Sequence, residues 1–180
     1  DYIVVAPVVE TGWETVLEEA KEAGIPVILS DRQMQVSDDS LYECWVGGNF
    51  IKEGETCGNW LADYLESQGR ADEDINIVTI QGTIGASAQI GRTEGFGNIL
   101  EQHPNWHMLD MQSGDFTQAK GQEVMESFLK SYDDIDVVVC ENDNSAFAAI
   151  HAIKPAGKTS GPDGDIIVVG FDSVKAAFDS

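Results

Sequence analysis

Polar side chains that could bind a small polyhydroxylated molecule stand directly after several apolar runs. They are Asp31 and Arg32, Gln81 to Thr83, Asn142 and Asp143, and Asp172 and Ser173. Each hydroxyl of such a molecule both donates and accepts, so a carboxylate together with a guanidinium or carboxamide meets it well. Any one of these residues could be an ordinary turn or cap residue. Their shared position after the strands favours a binding site.

The motifs of common enzyme classes are absent from the sequence. It contains no G-x-S-x-G elbow, no H-E-x-x-H zinc motif and no P-loop, and 82–87 does not have the spacing of a dinucleotide fingerprint. His103, His107 and His151 fall at a helix end, a strand start and within a helix, and we interpret them as structural. We therefore expect a binding protein rather than an enzyme, with no catalytic residue, no cofactor and no metal site.

The three cysteines are interpreted as free thiols. Cys44, Cys57 and Cys140 form no C-x-x-C pair and have no histidine at metal-ligand spacing. A disulfide between Cys44 and Cys57 is conceivable, but nothing in the sequence supports it.

The charge of the chain is strongly negative. Thirty-two acidic residues against ten basic ones give a formal net charge of -22. Such a charge repels nucleic acid and anionic membrane surfaces, so we expect no nucleic-acid partner. No run of about 20 apolar residues is present, so we expect no membrane span.

The apolar runs alternate with segments of helical period, which is typical of βαβ units and a parallel sheet. The predicted strands are 2–6, 26–30, 44–46, 75–80, 107–111, 136–141 and 166–171. The longer predicted helices are 50–68, 88–102, 117–132 and 145–154. Ligands bind beyond the carboxyl ends of such strands, where the polar groups described above stand.

A shorter helix is predicted between the first two strands. Thr11 and Glu14 have the spacing of a capping box, and Gly24 is a typical stop. Its predicted apolar stripe is Trp13, Val16, Leu17 and Ala20. Trp13 could stack on the C–H face of a ligand or pack the helix on the sheet, and both interpretations stay open.

Six motifs in order resemble the type I periplasmic sugar-binding proteins, nearest to the galactofuranose-binding branch and then to the ribose-binding branch. They are 6–13 (APVVETGW), 26–32 (PVILSDR), 81–87 (QGTIGAS), Arg92 with Gly95 and Phe96, 114–126 (GDFT, Gly121, EVME) and 169–172 (VGFD). The resemblance covers essentially the whole chain. It implies two Rossmann-like parallel-sheet lobes that close on a neutral monosaccharide and present it to an ABC permease.

The resemblance also implies which residues bind the sugar. Carried over position by position, they are Asp31, Arg32, Arg92, Asn142, Asp143 and Asp172. The chain departs from the family at Glu141, where near relatives carry His or Gln, and at Asn144 and Ser145, which replace an acid or Met. These departures leave the exact sugar undetermined.

The resemblance predicts an incomplete pair of lobes. Gly47 to Asn49 are the predicted boundary, with 1–48 as a partial first lobe and 49–180 as most of the second. Both ends are interpreted as cuts, the last one at Asp179 and Ser180 within a helix. We therefore expect an exposed edge at Ile3 to Val5, little contact between the two parts, and negligible sugar affinity of these 180 residues alone.

The expected location is periplasmic, or extracellular with a lipoprotein anchor. The alternative function is the sugar-sensing effector domain of a LacI-type transcription regulator. A helix-turn-helix upstream would indicate the regulator, and a signal peptide would indicate the exported protein.

Overall fold

Two separate parallel β-sheets organise the chain in the computed structural model, which describes residues 1–161 and 163–178. The first sheet has the order β1-β2-β3, with β1 at Ile3–Val5, β2 at Val27–Ser30 and β3 at Cys44–Val46. The second has the order β5-β4-β6-β7, with β4 at Ile75–Gln81, β5 at Trp106–Ser113, β6 at Val137–Cys140 and β7 at Ile167–Val169. All seven predicted strands form, with ends within two residues of the predicted ones, and the α/β class is confirmed.

Five α-helices connect these strands in the described part of the chain. They are α1 (Glu14–Glu22), α2 (Phe50–Ser67), α3 (Ser87–Leu100), α4 (Gln118–Ser131) and α5 (Asp143–Ile153). None of the described helices is long and apolar enough to cross a membrane. The predicted cut within a helix at Asp179 and Ser180 lies outside the described residues.

The second sheet is covered on both faces because neighbouring strand residues point to opposite sides. Ile75 and Ile77 of β4 pack with α2 and α3, whereas Val78 and Ile80 pack with α4 and α5. All four side chains are fully buried. This explains why β4, although interrupted by Asn76 and Thr79, has apolar residues on both of its faces.

Helices α2 and α3 approach each other closely through glycines. A Cβ at Gly95 would overlap the carbonyl oxygen of Ile51, and one at Gly54 would overlap that of Arg92. The glycines therefore set the distance at which the first turns of α2 face the middle of α3. This contact places Arg92 beside Glu53.

The predicted start of α1 is wrong. The N-cap is Trp13, which makes no side-chain cap, and the Glu14 carboxylate accepts a hydrogen bond of 3.0 Å from the Ser37 amide. The helix thus begins after the left-handed Gly12 (φ 88°), too late for Thr11 to cap it. In the predicted stripe Leu17 and Ala20 are buried and Trp13 is half-buried, but Val16 is exposed.

The two parts also touch outside the predicted connection at 47–49. The amide of Glu10 donates to the carbonyl of Gly85 at 2.9 Å, and the amide of Gln33 donates to Ser87 Oγ at 2.9 Å. The first-sheet part therefore contacts the loop that leads into α3, in addition to the connection at 47–49. The expected exposed edge is present, because Val4 of β1 is 65% exposed.

The cysteines are all free. Cys57 and Cys140 are buried and Cys44 is exposed, so the conceivable disulfide between Cys44 and Cys57 is not formed. Burial raises the pKa of the Cys57 thiol to about 12, and such a group stays neutral at physiological pH.

Gly95→Ala tests the close approach of α2 and α3. Its new methyl group meets backbone atoms of α2, so the free energy of unfolding should fall by about 1–3 kcal/mol. Gly97→Ala on the same helix is the control, because a Cβ there meets nothing within 4 Å. That change should raise the stability by about 0.5–1 kcal/mol. Urea unfolding measures both, and equal effects of the two variants would contradict the packing argument.

Candidate functional site

An open cavity of about 900 Å³ lies beyond the carboxyl ends of the two sheets. Asp31 after β2, the first turn of α2, Arg92 of α3 and the loop 170–173 after β7 form its walls. The structure thus brings Asp31, Arg92 and Asp172 to one volume. These three residues come from three distant segments of the sequence.

Arg92 is the centre of this cavity wall and is only 7% exposed. Its Nε donates to Glu53 at 3.0 Å, its Nη1 to the carbonyl of Glu141 and its Nη2 to Asp172 at 3.1 Å. The guanidinium also lies over the rings of Phe50 and Phe171, 5.5 and 4.8 Å from their centroids. Every nitrogen of the guanidinium is engaged, so the side chain is held in one orientation.

Backbone strain is concentrated at this edge of the molecule. The non-glycine residues of the described chain with a left-handed backbone are Asp31, Asp115, Phe116, Asp172 and Ser173. All five follow the carboxyl ends of β2, β5 and β7. Such conformations cost energy and cluster at functional sites. The aspartates tolerate them better than Phe116 does.

Phe116 contacts a second group of residues near the site. The guanidinium of Arg32 lies 5.0 Å from the centroid of its ring, and the carbonyl of Phe116 accepts a 3.0 Å hydrogen bond from Asn142 Nδ2. A Cβ on Gly82 would overlap the ring. Arg32 and Asn142 are therefore joined through Phe116 and do not line the larger cavity. Arg32 also donates to the carbonyl of Val8 at 3.2 Å.

Asn142 and Asp143 shape the loops around the site. Asn142 is the N-cap of α5, and its Oδ1 accepts from the Ser145 amide at 3.0 Å. Asp143 Oδ2 accepts from the Val174 amide at 2.7 Å, which secures the loop that carries Asp172. The structure does not bring the Asp143 side chain to the cavity between the sheets.

Trp13 lies away from the cavity. Its ring is half-buried against the core of the first sheet, and its Nε1 donates to the carbonyl of Val9 at 2.8 Å. The ring thus packs the helix on the sheet, and its stacking on a ligand stays a prediction.

Sequence reasoning missed three residues of the site. Glu53 is the carboxylate partner of Arg92, and Phe116 and Phe171 supply aromatic faces. Both phenylalanines stand within motifs that were recognised, next to Asp115 and Asp172. Their position next to an acidic residue at the end of a strand is the signal that could have identified them. Nothing in the spacing pointed to Glu53.

Glu141 is a buried carboxyl group directly behind this wall. Its Oε2 accepts from the Gly82 amide at 2.7 Å and its Oε1 from Thr93 Oγ1 at 2.5 Å. Burial raises its pKa to about 7, against the opposing effects of these hydrogen bonds and of the Arg92 charge. The ordinary pKa of a glutamate is lower by more than two units.

Comparison with known proteins identifies relatives of the whole chain. The model of the periplasmic binding protein domain matches residues 1–180. The galactofuranose-binding protein YtfQ of Escherichia coli is 47% identical over 166 residues, which are 91% of this chain and 51% of that protein. The ribose import binding protein RbsB of Bacillus subtilis is 33% identical over 180 residues, 100% of this chain and 53% of that protein.

A solved structure agrees in fold. The periplasmic binding protein of the arabinose ABC transporter from Shewanella sp. ANA-3, bound to α- and β-L-arabinofuranose, has a TM-score of 0.91 and 43% identity. The match covers 99% of this chain and 57% of that one. The chain therefore spans about half the length of the curated relatives it matches.

Arg92→Gln tests whether this residue holds the cavity wall together. Loss of the guanidinium leaves the buried carbonyl of Glu141 and two carboxylates without their donor, so the stability should fall by about 1–3 kcal/mol. Lys120→Gln is the control, because it removes an exposed pair with Glu123 that is worth about 0–1 kcal/mol. Urea unfolding at pH 8 compares them. A loss no larger for Arg92 than for Lys120 would show that the wall does not depend on this network.

Proposed function

The chain belongs to the periplasmic binding protein domain family, and from this membership we propose that it is part of the solute-binding component of an ABC importer. Its role in that protein is to bind a neutral monosaccharide reversibly in the cavity between the two sheets. The relatives described above are binding proteins rather than enzymes.

The observation that carries the proposal is the arrangement of Asp31, Arg92 and Asp172 around one cavity. A sugar hydroxyl can donate to the carboxylates of Asp31 and Asp172 and accept from a guanidinium, which has five N–H donors, one more than the contacts of Arg92 use. Phe50 and Phe171 line the same cavity and offer apolar faces for the C–H surface of a sugar ring.

The local charge favours an uncharged ligand. Arg92 already pairs with the carboxylates of Glu53 and Asp172 at 2.9 and 3.1 Å, and Asp31 adds another acid to the wall. An anionic ligand would meet more negative than positive groups here. Together with the net charge of -22, this supports a neutral polyhydroxylated ligand over a phosphorylated or acidic one.

The class of sugar is proposed from the relatives. Those named above bind galactofuranose, ribose and L-arabinofuranose according to their names. A pentose, or a hexose in its five-membered ring form, is accordingly the proposed ligand. Arg32, Asn142 and Phe116 form the group that we propose completes the site on the side of β5.

The proposed organisation has two lobes. Residues 1–48, which contain the first sheet, are part of the first lobe, and residues 49–180 are most of the second. The sheet topology supports this division, because no strand pair joins the two sheets in the described part of the chain. The cavity between them is then a cleft that can open and close.

The proposed partners are the membrane subunits of an ABC permease, and the proposed location is the periplasm or, with a lipoprotein anchor, the extracellular face. These proposals rest on the family and on the names of the relatives. The regulator alternative is not supported by the relatives described above.

Calorimetric titration of the full-length protein with D-ribose, L-arabinose and D-galactose tests the proposal. We expect saturable binding of one of them, and no new product after long incubation. Arg32→Ala and Asp172→Ala should each weaken binding by about 2–4 kcal/mol, because the remaining polar partners are left unpaired in a closed site. Lys120→Ala, on the exposed face of α4, is the control. Unchanged affinity in both site variants, or no binding of any sugar, would overturn the proposal.

A further inference from the structure

Glu141 lies at the carboxyl end of a central strand of the second sheet, and its carboxyl group is almost inaccessible to water. It follows β6 directly and is 1% exposed. Phe96, Met108, Val139 and other apolar side chains enclose a neighbouring cavity of about 190 Å³, which Glu141 also lines. Such surroundings offer the carboxyl group few polar partners beyond those that it already has.

Both side-chain oxygens of Glu141 face hydrogen-bond donors, which suits an ionised carboxyl group. Thr93 Oγ1 donates to Glu141 and accepts from Gln81 Nε2 at 3.0 Å and Gln89 Nε2 at 3.1 Å. A hydroxyl has one proton and two acceptor sites, so Thr93 is saturated. The other carboxylate oxygen accepts from the Gly82 amide. A proton on either oxygen would need an acceptor, and neither the Thr93 hydroxyl nor the Gly82 amide can accept it.

Glu141 contacts both Arg92 of the cavity wall and the loop 82–86 beside it. Its carboxylate holds the amide of Gly82, at the start of the loop 82–86, and the Gly85 carbonyl in that loop accepts from Glu10 of the first-sheet part. Its own carbonyl accepts from Nη1 of Arg92. Glu141 thus connects the guanidinium of the site with the loop that contacts the other sheet.

We propose that the ionised carboxylate of Glu141 is a positioning group that holds Thr93, the neighbour of Arg92 on α3, and the loop 82–86 in the arrangement that binds ligand, so that its protonation loosens both and weakens binding. This inference deepens the proposed function and rests on it for the identity of the ligand. It assigns no direct ligand contact to Glu141.

The charged and titratable neighbours of Glu141 do not offset the effect of burial on its pKa. Arg92 on α3 reaches the carbonyl of Glu141 rather than its carboxylate, and its charge is shared with Glu53 of α2 and Asp172 after β7. Cys140, beside Glu141 on the same strand, has a pKa raised by burial and remains a neutral thiol. Asp143 follows at the start of α5. Burial outweighs these neighbours and holds the pKa of Glu141 at about 7.

The effects of Glu141 on stability and on binding have opposite signs. Its pKa is raised in the folded protein, so the folded state keeps the proton between the ordinary value and about 7. Its contribution to the free energy of unfolding therefore falls as the pH rises through this window. Ligand affinity rises through the same window, because the ionised form is the positioning one. General acid unfolding would lower both together, so the opposite signs are diagnostic.

The test compares wild-type full-length protein with Glu141→Gln, using D-ribose and L-arabinose as probes from pH 5.5 to 8.5. These sugars have no group that titrates in this range. Wild-type affinity should be about tenfold weaker at pH 6 than at pH 8, since one linked proton changes it tenfold per unit below the pKa. Glu141→Gln should bind weakly at both values. It keeps all three histidines, so a pH dependence that survives in it would overturn the proposal.

Thr93→Val provides a second variant that keeps the carboxyl group. It removes a hydrogen bond that lowers the pKa of Glu141, so the midpoint of the affinity profile should move to higher pH. An unmoved midpoint would show that another group titrates.

The ligand-free arm follows the amide resonance of Gly82 by NMR. This resonance should titrate with a midpoint near 7 in wild type and stay constant in Glu141→Gln, because the amide donates to the carboxylate. A constant wild-type resonance would overturn the inference, and so would a titrating resonance with pH-independent affinity. If neither sugar binds at any pH, the proposed function fails for these sugars, and the Gly82 titration alone decides whether Glu141 positions the loop.

Discussion

The buried guanidinium of Arg92 is the constraint on which the site depends. A charge that is 7% exposed must be met by acceptors on every side, because an unpaired charge in the interior is very costly. The acceptors come from α2, from the end of β6 and from the loop after β7. Each of these elements is thereby tied to the others, and Gly95 and Gly54 are required for α2 to come close enough.

The same requirement defines what the cavity can bind. Since the guanidinium is already balanced by carboxylates, its attraction for a further negative charge is small. What remains available are hydrogen-bonding edges and the faces of Phe50 and Phe171, which suit a small polyhydroxylated ring. Asp31 and Asp172 have a left-handed backbone shortly after the sheet ends, and such conformations persist only where the surrounding structure holds them in place.

The strands were predictable from the sequence because buried parallel strands carry apolar residues on both faces, as β4 and β6 show. Their order then placed Asp31 and Asp172 at one edge. The direction of each side chain was not predictable, because it depends on the φ of a single loop residue and on partners far along the chain. Arg32 turns to Phe116 and Asp143 to Val174. The hydrogen bond of Glu10 to Gly85 joins segments that no local pattern connects.

The close packing around Arg92 also determines the state of Glu141. The close packing that immobilises Arg92 also removes water from the carboxyl group behind it, and burial is the largest influence on its pKa. An amide at this position would avoid the cost of a buried charge. An amide, however, presents a donor to the saturated hydroxyl of Thr93, whereas the carboxylate only accepts. The donors around Glu141 therefore suit the ionised carboxyl group, and through it our proposal links the geometry of the site to the proton concentration.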